Sequence, residues 1–122
     1  MVVLMLRYCM LAALLFTRPA PSRNESVAPP RKLVRITAER FAFSPSRIKV
    51  RQGTEVEFAI TSEDTDHGFR IPAADIDATI PQQGKGELTV RFVARQKGRY
   101  VFECSHPCGA GHNLMRGYII VE

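Results

Sequence analysis

The sequence predicts an all-β domain, built as a β-sandwich or a Greek-key barrel. Apolar and polar residues alternate over short stretches, which is typical of strands with one buried face. Turn residues recur every eight to twelve positions or so between those stretches. No segment of helical length has a sustained helical period. The chain of 122 residues has room for one such domain and a short extension.

The first strands are expected in the stretches LVRITA, FAFSPSRIKV and EVEFAI. FAFSPSRIKV contains Pro45, which separates an early apolar run from a later one. Gly53 marks a turn, and Val56, Phe58 and Ile60 then occupy every second position. This alternation indicates a strand with one face toward the core.

The later strands are expected in HGFRI, ELTVRFVA, YVFEC and GYIIVE. Pro72 ends the first of these, and the AADIDATI stretch that follows shows only a weak helical pattern. Gly98 forms a turn before YVFEC, where Tyr100, Phe102 and Cys104 share one face. The thiol of Cys104 should therefore point toward the edge of the core.

The positive charge is concentrated ahead of the predicted domain. The chain has a formal charge of +5, of which residues 1–32 contribute +4 because they hold five Lys/Arg and one acid. The remaining 90 residues hold twelve basic and eleven acidic residues. Such a balanced domain argues against nucleic-acid binding.

The N-terminal segment predicts export. MVVLMLRYCMLAALLF is apolar except for Arg7, and its apolar core is shorter than the roughly twenty residues of a membrane span. We expect residues 1–20 to be a signal peptide or an N-terminal membrane anchor, residues 21–32 a Pro-rich linker, and residues 33–122 the domain. The protein is then periplasmic, or anchored on the extracytoplasmic side of a membrane.

The stretch CSHPCGAGHNLM, residues 104–115, carries the candidate chemistry between the last two predicted strands. A disulfide, a zinc site and a copper site all use some of its residues. Pro107 stiffens the turn, and Gly109 and Gly111 allow positive φ angles, so that the later residues can return toward Cys104.

The residue types in this loop favour copper. Methionine is a soft ligand that suits copper better than zinc, so Cys108, His112 and Met115 match a copper site. A further histidine is needed, and His67 follows a predicted strand that can end at the same side of the domain. Cys104 has no role in a one-copper site, whereas two thiolates can bridge two copper ions.

The loop resembles the C-x3-C-x3-H-x2-M loop of the CuA centre, found in cytochrome c oxidase subunit II and nitrous-oxide reductase. Asp64 to His67 also resembles the D-x-x-H of the oxidase subunit. The resemblance implies a cupredoxin-like Greek-key β-sandwich and a binuclear copper centre. The ligands that it implies are of three kinds. Cys104 and Cys108 are the bridging thiolates, and His67 and Met115 lie at opposite outer positions. His112 is the second imidazole, and His106 contributes its backbone carbonyl.

The chain departs from the oxidase subunit in three respects. His106 replaces the usual glutamate between the cysteines, which removes the side chain that helps to bind magnesium there. The sequence has no two-helix membrane hairpin, and it contains no Trp to serve as an entry point for cytochrome c. The prediction is therefore a separate CuA-like domain rather than a complete oxidase subunit.

The predicted function is electron transfer rather than catalysis. The domain would carry one electron between a reduced carrier and a redox enzyme, with a cytochrome, oxidase or reductase as its partner. Two alternatives stay open: a periplasmic copper carrier or chaperone, and a mononuclear blue-copper protein with one ion. Asp64 or Asp66 is a candidate to orient the ring of His67 through a hydrogen bond.

Overall fold

The computed structural model describes residues 16–22 and 26–122. Most of the predicted leader, and part of the predicted linker, lie outside these residues. The described residues before the first strand are exposed and have no regular secondary structure. The part of the chain that is described contains no helix of the length and apolar character needed to cross a bilayer.

Nine strands form the domain, and two short 3-10 helices at Pro72–Ala74 and His112–Leu114 connect them. The strands are β1 (Arg31–Glu39), β2 (Ala42–Ser44), β3 (Arg47–Val50), β4 (Glu55–Ser62), β5 (His67–Ile71), β6 (Ile76–Ile80), β7 (Leu88–Val93), β8 (Gly98–Glu103) and β9 (Arg116–Val121).

The strands form two sheets, which confirms the predicted all-β sandwich. A four-stranded sheet has the order β2-β1-β4-β7, and a five-stranded sheet has the order β3-β9-β8-β5-β6. Both are mixed, because β1 runs parallel to β4 and β3 runs parallel to β9. The chain crosses between the sheets repeatedly, so residues distant in sequence meet at each end of the sandwich.

The core lies between the sheets and follows the predicted alternation. Phe58 and Ile60 on β4 are fully buried, as are Phe69 on β5 and Phe102 on β8. The rings of Phe69 and Phe102 lie 5.3 Å apart between centroids. Phe69 is two residues after His67 and Phe102 two before Cys104, so rigid core packing lies directly beneath the predicted metal loop.

The weak helical prediction for AADIDATI is wrong. Asp75 takes a left-handed conformation with φ of 53° after the 3-10 helix, and the chain then enters β6. That strand pairs antiparallel with β5 over five residues, from His67 opposite Ile80 to Ile71 opposite Ile76. Pairing with β5 at the edge of the sheet overrides the local pattern.

Candidate metal centre

Three segments meet at one end of the sandwich and surround the predicted ligands. They are the turn between β1 and β2, the loop between β4 and β5, and the long connection between β8 and β9. Because the strands that hold these segments are fixed by the core, the side chains at the strand ends have defined positions.

His67 and Cys104 come from different strands and meet in the interior. His67 is the first residue of β5 and is fully buried, and Cys104 directly follows β8 and is also buried. The His67 Nδ1 lies 3.9 Å from the Cys104 Sγ. Together with the Cys108 Sγ, these atoms lie within 4.8 Å of one another, as the ligands of a metal would.

The two sulfur atoms of the loop are neighbours without being bonded. The Sγ atoms of Cys104 and Cys108 lie 3.7 Å apart, and both residues are free cysteines. A disulfide bond would bring them to about 2.05 Å. The structure therefore contains two adjacent thiols here.

The second half of the loop returns to Cys108. The Cys108 Sγ lies 3.8 Å from the His112 Nδ1 and 3.9 Å from the Met115 Sδ. Met115 is buried, whereas His112 is half-buried. The main-chain N–H of Cys104 donates to the carbonyl of Met115 at 3.0 Å, which closes the base of the loop.

His106 turns its side chain to solvent and its backbone inward. The residue is exposed, while its carbonyl oxygen lies 3.1 Å from the Cys104 Sγ. The predicted ligand groups thus lie around the sulfur pair: His67 and the His106 carbonyl near Cys104, and His112 and Met115 near Cys108. Their role as ligands stays a prediction.

A carboxylate behind His67 sets the orientation of its ring. Asp64 Oδ1 lies 2.7 Å from the His67 Nε2. In neutral imidazole this contact places the proton on Nε2, which donates to Asp64 and leaves the lone pair of Nδ1 facing the thiols. Asp66, the other candidate, instead accepts the N–H of Gln82 at 2.6 Å.

Arg40 joins this carboxylate to the metal loop through contacts that were not predicted from the sequence. Its main-chain N–H donates to Asp64 Oδ2 at 2.8 Å, and its side-chain Nε donates to the Cys108 carbonyl at 2.8 Å. Arg40 and Cys108 are 68 positions apart. No local pattern in ERFAF indicates such a contact.

Phe41 covers the outside of the same loop. A Cβ atom added to Gly109 would lie 2.9 Å from its ring, and one added to Gly111 would overlap the ring. Gly109 takes a positive φ of 142°, whereas Gly111 has a φ of −90°, which other residues can also adopt. Gly111 is needed for the close approach of Phe41, not for its backbone conformation.

Asp64 is held ionised. Burial tends to raise the pKa of Asp64, but hydrogen bonds from the Arg40 N–H, His67 and the Thr65 N–H outweigh it, so the pKa lies below its usual value. An ionised Asp64 is the form that accepts from the His67 ring.

Cys108 is held as a thiol in the metal-free protein. Burial, followed by the hydrogen bond with Cys104 and the charge of that neighbour, raises the pKa of Cys108 to about 11. A bound metal ion must therefore displace a proton from this sulfur.

The donor atoms suit copper better than zinc. Two thiols and a thioether are soft donors, and methionine is not among the usual ligands of zinc. The three sulfur atoms are buried together with the His67 ring. Such a water-poor cluster fits a retained copper site that has both imidazole and sulfur ligands.

Known proteins match most of the chain. Residues 6–121 match the family model of the cupredoxin-like domain. Over 90 residues the chain is 38% identical to cytochrome c oxidase subunit 2 of Thermus thermophilus, covering 73% of this chain and 64% of that protein. Over 93 residues it is 36% identical to nitrous-oxide reductase of Ralstonia nicotianae, covering 73% of this chain and 14% of that protein.

Solved structures share the fold. A heme-copper terminal oxidase dimer has a chain that is 26% identical, with a TM-score of 0.66 over 94% of this chain and 78% of that one. Auracyanin A, a blue copper protein of Chloroflexus aurantiacus, has a TM-score of 0.60 at 19% identity, over 75% of this chain and 99% of that one.

The chain spans less than two thirds of the length of these curated relatives. The family model, in contrast, covers nearly all of the chain. The chain therefore belongs to the cupredoxin-like domain family and is homologous to the CuA domains of cytochrome c oxidase subunit II and nitrous-oxide reductase.

Proposed function

We propose that this protein is an electron carrier with a binuclear, CuA-like copper centre. The observation that carries the proposal is the pair of buried sulfur atoms, 3.7 Å apart, with a different imidazole beside each. His67 and the His106 carbonyl would serve one ion, and His112 and Met115 the other. Cys104 and Cys108 would be the bridging thiolates.

The extra cysteine supports two ions over one. Cys108, His112 and Met115, together with His67, would already supply the ligands of a mononuclear blue-copper site. Cys104 lies in the centre of the cluster, within 3.9 Å of His67 and 3.1 Å of the His106 carbonyl. A thiol at the centre of these ligand groups favours a bridging role.

The protein prepares the site before metal arrives. Copper, when bound, supplies a reversible one-electron couple. Asp64 fixes the tautomer of His67, and the Gly68 N–H donates to the Cys104 Sγ at 3.4 Å. The core beneath the loop limits the movement of these side chains, and a rigid site needs little rearrangement when its charge changes.

His112 is the proposed point of electron exchange. It is half-buried, and Leu114, two residues later, has 80% of its surface exposed. The other site side chains are buried or, in the case of His106, turned away. A partner that contacts this edge reaches an imidazole beside Cys108 without displacing the core.

The relatives support a proposal for the class of partner and for the location. The partner is a redox protein, either a cytochrome or an oxidase or reductase. A periplasmic domain of oxidase subunit II from Bradyrhizobium japonicum shares the fold, with a TM-score of 0.66 at 16% identity. Export through residues 1–20, or a membrane tether there, would place this protein on the extracytoplasmic side, and no catalytic substrate site is assigned to it.

The alternative of a copper carrier is less well supported. Rapid copper transfer favours ligands that a partner protein can reach, and here the sulfur atoms of Cys104, Cys108 and Met115 are all buried. Such burial favours retention of copper.

Electron paramagnetic resonance of the copper-loaded protein tests the proposal. We expect a purple protein with the hyperfine pattern of one unpaired electron shared by two copper nuclei. Cys104→Ser should abolish that pattern, since serine cannot replace the bridging thiolate, while Ser105→Ala serves as a neighbouring control. The pattern of a single copper nucleus in the unaltered protein would refute the binuclear centre.

A further inference from the structure

The outward surface of three neighbouring strands forms a continuous positive patch, which we call the basic face. The register places Lys49, Ile120 and Arg99 side by side, with Arg47, Tyr118 and Val101 in the next row. Arg116 and Glu103 form a third row. The basic face consists of these side chains from β3, β9 and β8: Arg47, Lys49, Arg99, Val101, Glu103, Arg116, Tyr118 and Ile120.

The cations on this surface have few carboxylate partners. Within the described residues, Arg47, Lys49, Arg99 and Arg116 make no ion pair within 4.0 Å. The only acid on the basic face, Glu103, accepts from Arg70 of β5 at 2.8 Å. Its charge is therefore already neutralised by another arginine.

The opposite face of the sandwich shows the contrast. On the outside of the four-stranded sheet, Arg91 pairs with Glu55 at 3.0 Å and Arg35 pairs with Glu87 at 3.6 Å. Arg31 also approaches Glu55, at 4.0 Å. The positive excess is thus specific to one side of a domain that is almost neutral as a whole.

The middle of the basic face is partly apolar and aromatic. Tyr118, Ile120 and Val101 are half-buried there. The guanidinium carbon of Arg99 lies 3.7 Å from the centre of the Tyr118 ring, as in a cation–π contact. Tyrosine and arginine are among the residue types enriched at the energetic centre of protein interfaces.

The basic face leads directly to the metal centre. Glu103 is the last residue of β8 and precedes Cys104, and Arg116 is the first residue of β9 and follows Met115. Arg116 also donates to the carbonyl of Asn113, next to His112, at 3.0 Å. A protein bound to this end of the face therefore lies beside the metal loop.

We propose that the basic face docks an acidic patch on the redox partner. This proposal rests on the proposed electron-transfer function and names the chemistry of its partner. Unpaired cations around an apolar centre match a protein surface with carboxylates around apolar side chains, and complementary charge speeds the encounter of two proteins. An anionic membrane would also match these charges, and the test below separates it from a protein partner.

Electron exchange with two probe proteins of opposite charge tests the proposal. The copper-loaded full chain is mixed with an acidic and with a basic cytochrome c, and the second-order rate constants are measured by stopped flow across a range of salt. We expect the acidic cytochrome to react faster at low salt, with a rate constant that falls by about tenfold or more as salt rises.

Charge reversal on each face then locates the docking surface. Lys49→Glu combined with Arg99→Glu should slow the acidic cytochrome by about tenfold at low salt. Arg35→Glu combined with Arg91→Glu makes the same change of net charge on the other sheet and should have a much smaller effect. Copper content and thermal unfolding check that each variant is folded, and Lys49→Gln with Arg99→Gln provides a milder version.

The outcomes separate this proposal from the function on which it rests. Equal effects of the two variant pairs, or faster exchange with the basic cytochrome, would overturn the docking surface alone. Tight binding to phosphatidylglycerol vesicles, combined with salt-independent exchange, would assign the basic face to lipid instead. If neither cytochrome exchanges electrons with the protein, the electron-transfer function is overturned, and this docking surface with it.

Discussion

At the scale of single residues, the site depends on a chain of contacts behind the candidate ligands. Arg40 bonds to Asp64, Asp64 bonds to His67, and Arg40 also bonds to the carbonyl of Cys108. From the sequence, Asp64 was one of two candidate acceptors for the His67 ring, and only the structure distinguishes it from Asp66. Arg40 was not predictable, since only the fold brings it to the loop.

Loss of the Asp64 carboxylate should weaken metal binding. We expect Asp64→Asn to lower copper affinity by about 10- to 100-fold, because the amide no longer holds the His67 ring with a charged hydrogen bond. Isothermal titration under anaerobic conditions measures the change. The control is Asp66→Asn, whose carboxylate bonds to the Gln82 backbone instead. Equal losses in both variants would contradict an orienting role for Asp64.

The thiol of Cys108 should be unreactive in the copper-free protein. Its pKa of about 11, against an ordinary value of 9.0, leaves about a hundredfold less thiolate at pH 8. Alkylation by iodoacetamide at Cys108, distinguished from Cys104 and Cys9 by tandem mass spectrometry of the peptides, should be slower than in denaturant by at least about that factor. Similar rates in the two states would mean that the thiol is neither buried nor perturbed.

The same shift determines how stability changes with pH in the metal-free protein. Because the folded pKa of Cys108 is raised, the neutral thiol is the form that favours folding. This contribution is fully present below pH 9.0 and is lost as the pH rises toward about 11.

At the scale of elements, the turn between β1 and β2 acts as a clamp on the metal loop. Arg40 holds the loop by a hydrogen bond, and the Phe41 ring packs over Gly109 and Gly111. Both glycines are recognisable in the sequence as residues that let the loop curl, but the need for Gly111 beneath the Phe41 ring is not, because a close approach by a distant ring leaves no local pattern. Phe41 was placed in a predicted strand without a function.

Adding one methyl group at Gly111 should disturb this clamp. Gly111→Ala is compatible with the φ of −90° but overlaps the Phe41 ring, so we expect it to lower the free energy of unfolding by about 1–3 kcal/mol. Urea unfolding of the copper-free protein measures the loss.

The control removes the ring that the methyl group would meet. In a Phe41→Ala background, Gly111→Ala should be neutral or slightly stabilising, because the clash is gone and alanine loses less backbone entropy on folding than glycine. The same loss in both backgrounds would show that Phe41 does not restrict this position.

Some strands could be predicted from the sequence and others could not. β4 was found because Val56, Phe58 and Ile60 alternate and are all fully buried. β6 was missed because it is an edge strand, where Ile76 and Ala78 are only half-buried and the apolar signal is weak. Its existence depends on pairing with β5, which is a tertiary effect.

At the scale of the whole molecule, the fold brings a local motif into contact with distant residues. Cys104, Cys108, His112 and Met115 lie within twelve positions, so spacing alone indicated a site. His67 is 37 positions from Cys104 and came from a chemical requirement and from resemblance. The basic face was invisible in the sequence, because its charges sit on strands far apart in the chain and cancel in the net count.

The number of copper ions bound per folded chain tests the central claim most directly. Purified protein is loaded with excess copper, freed of unbound metal, and analysed for copper and protein by elemental and amino-acid analysis. We expect two copper ions per chain, falling to one or none in Cys104→Ser. One copper ion per unaltered chain, or a preference for zinc over copper, would contradict the binuclear copper centre.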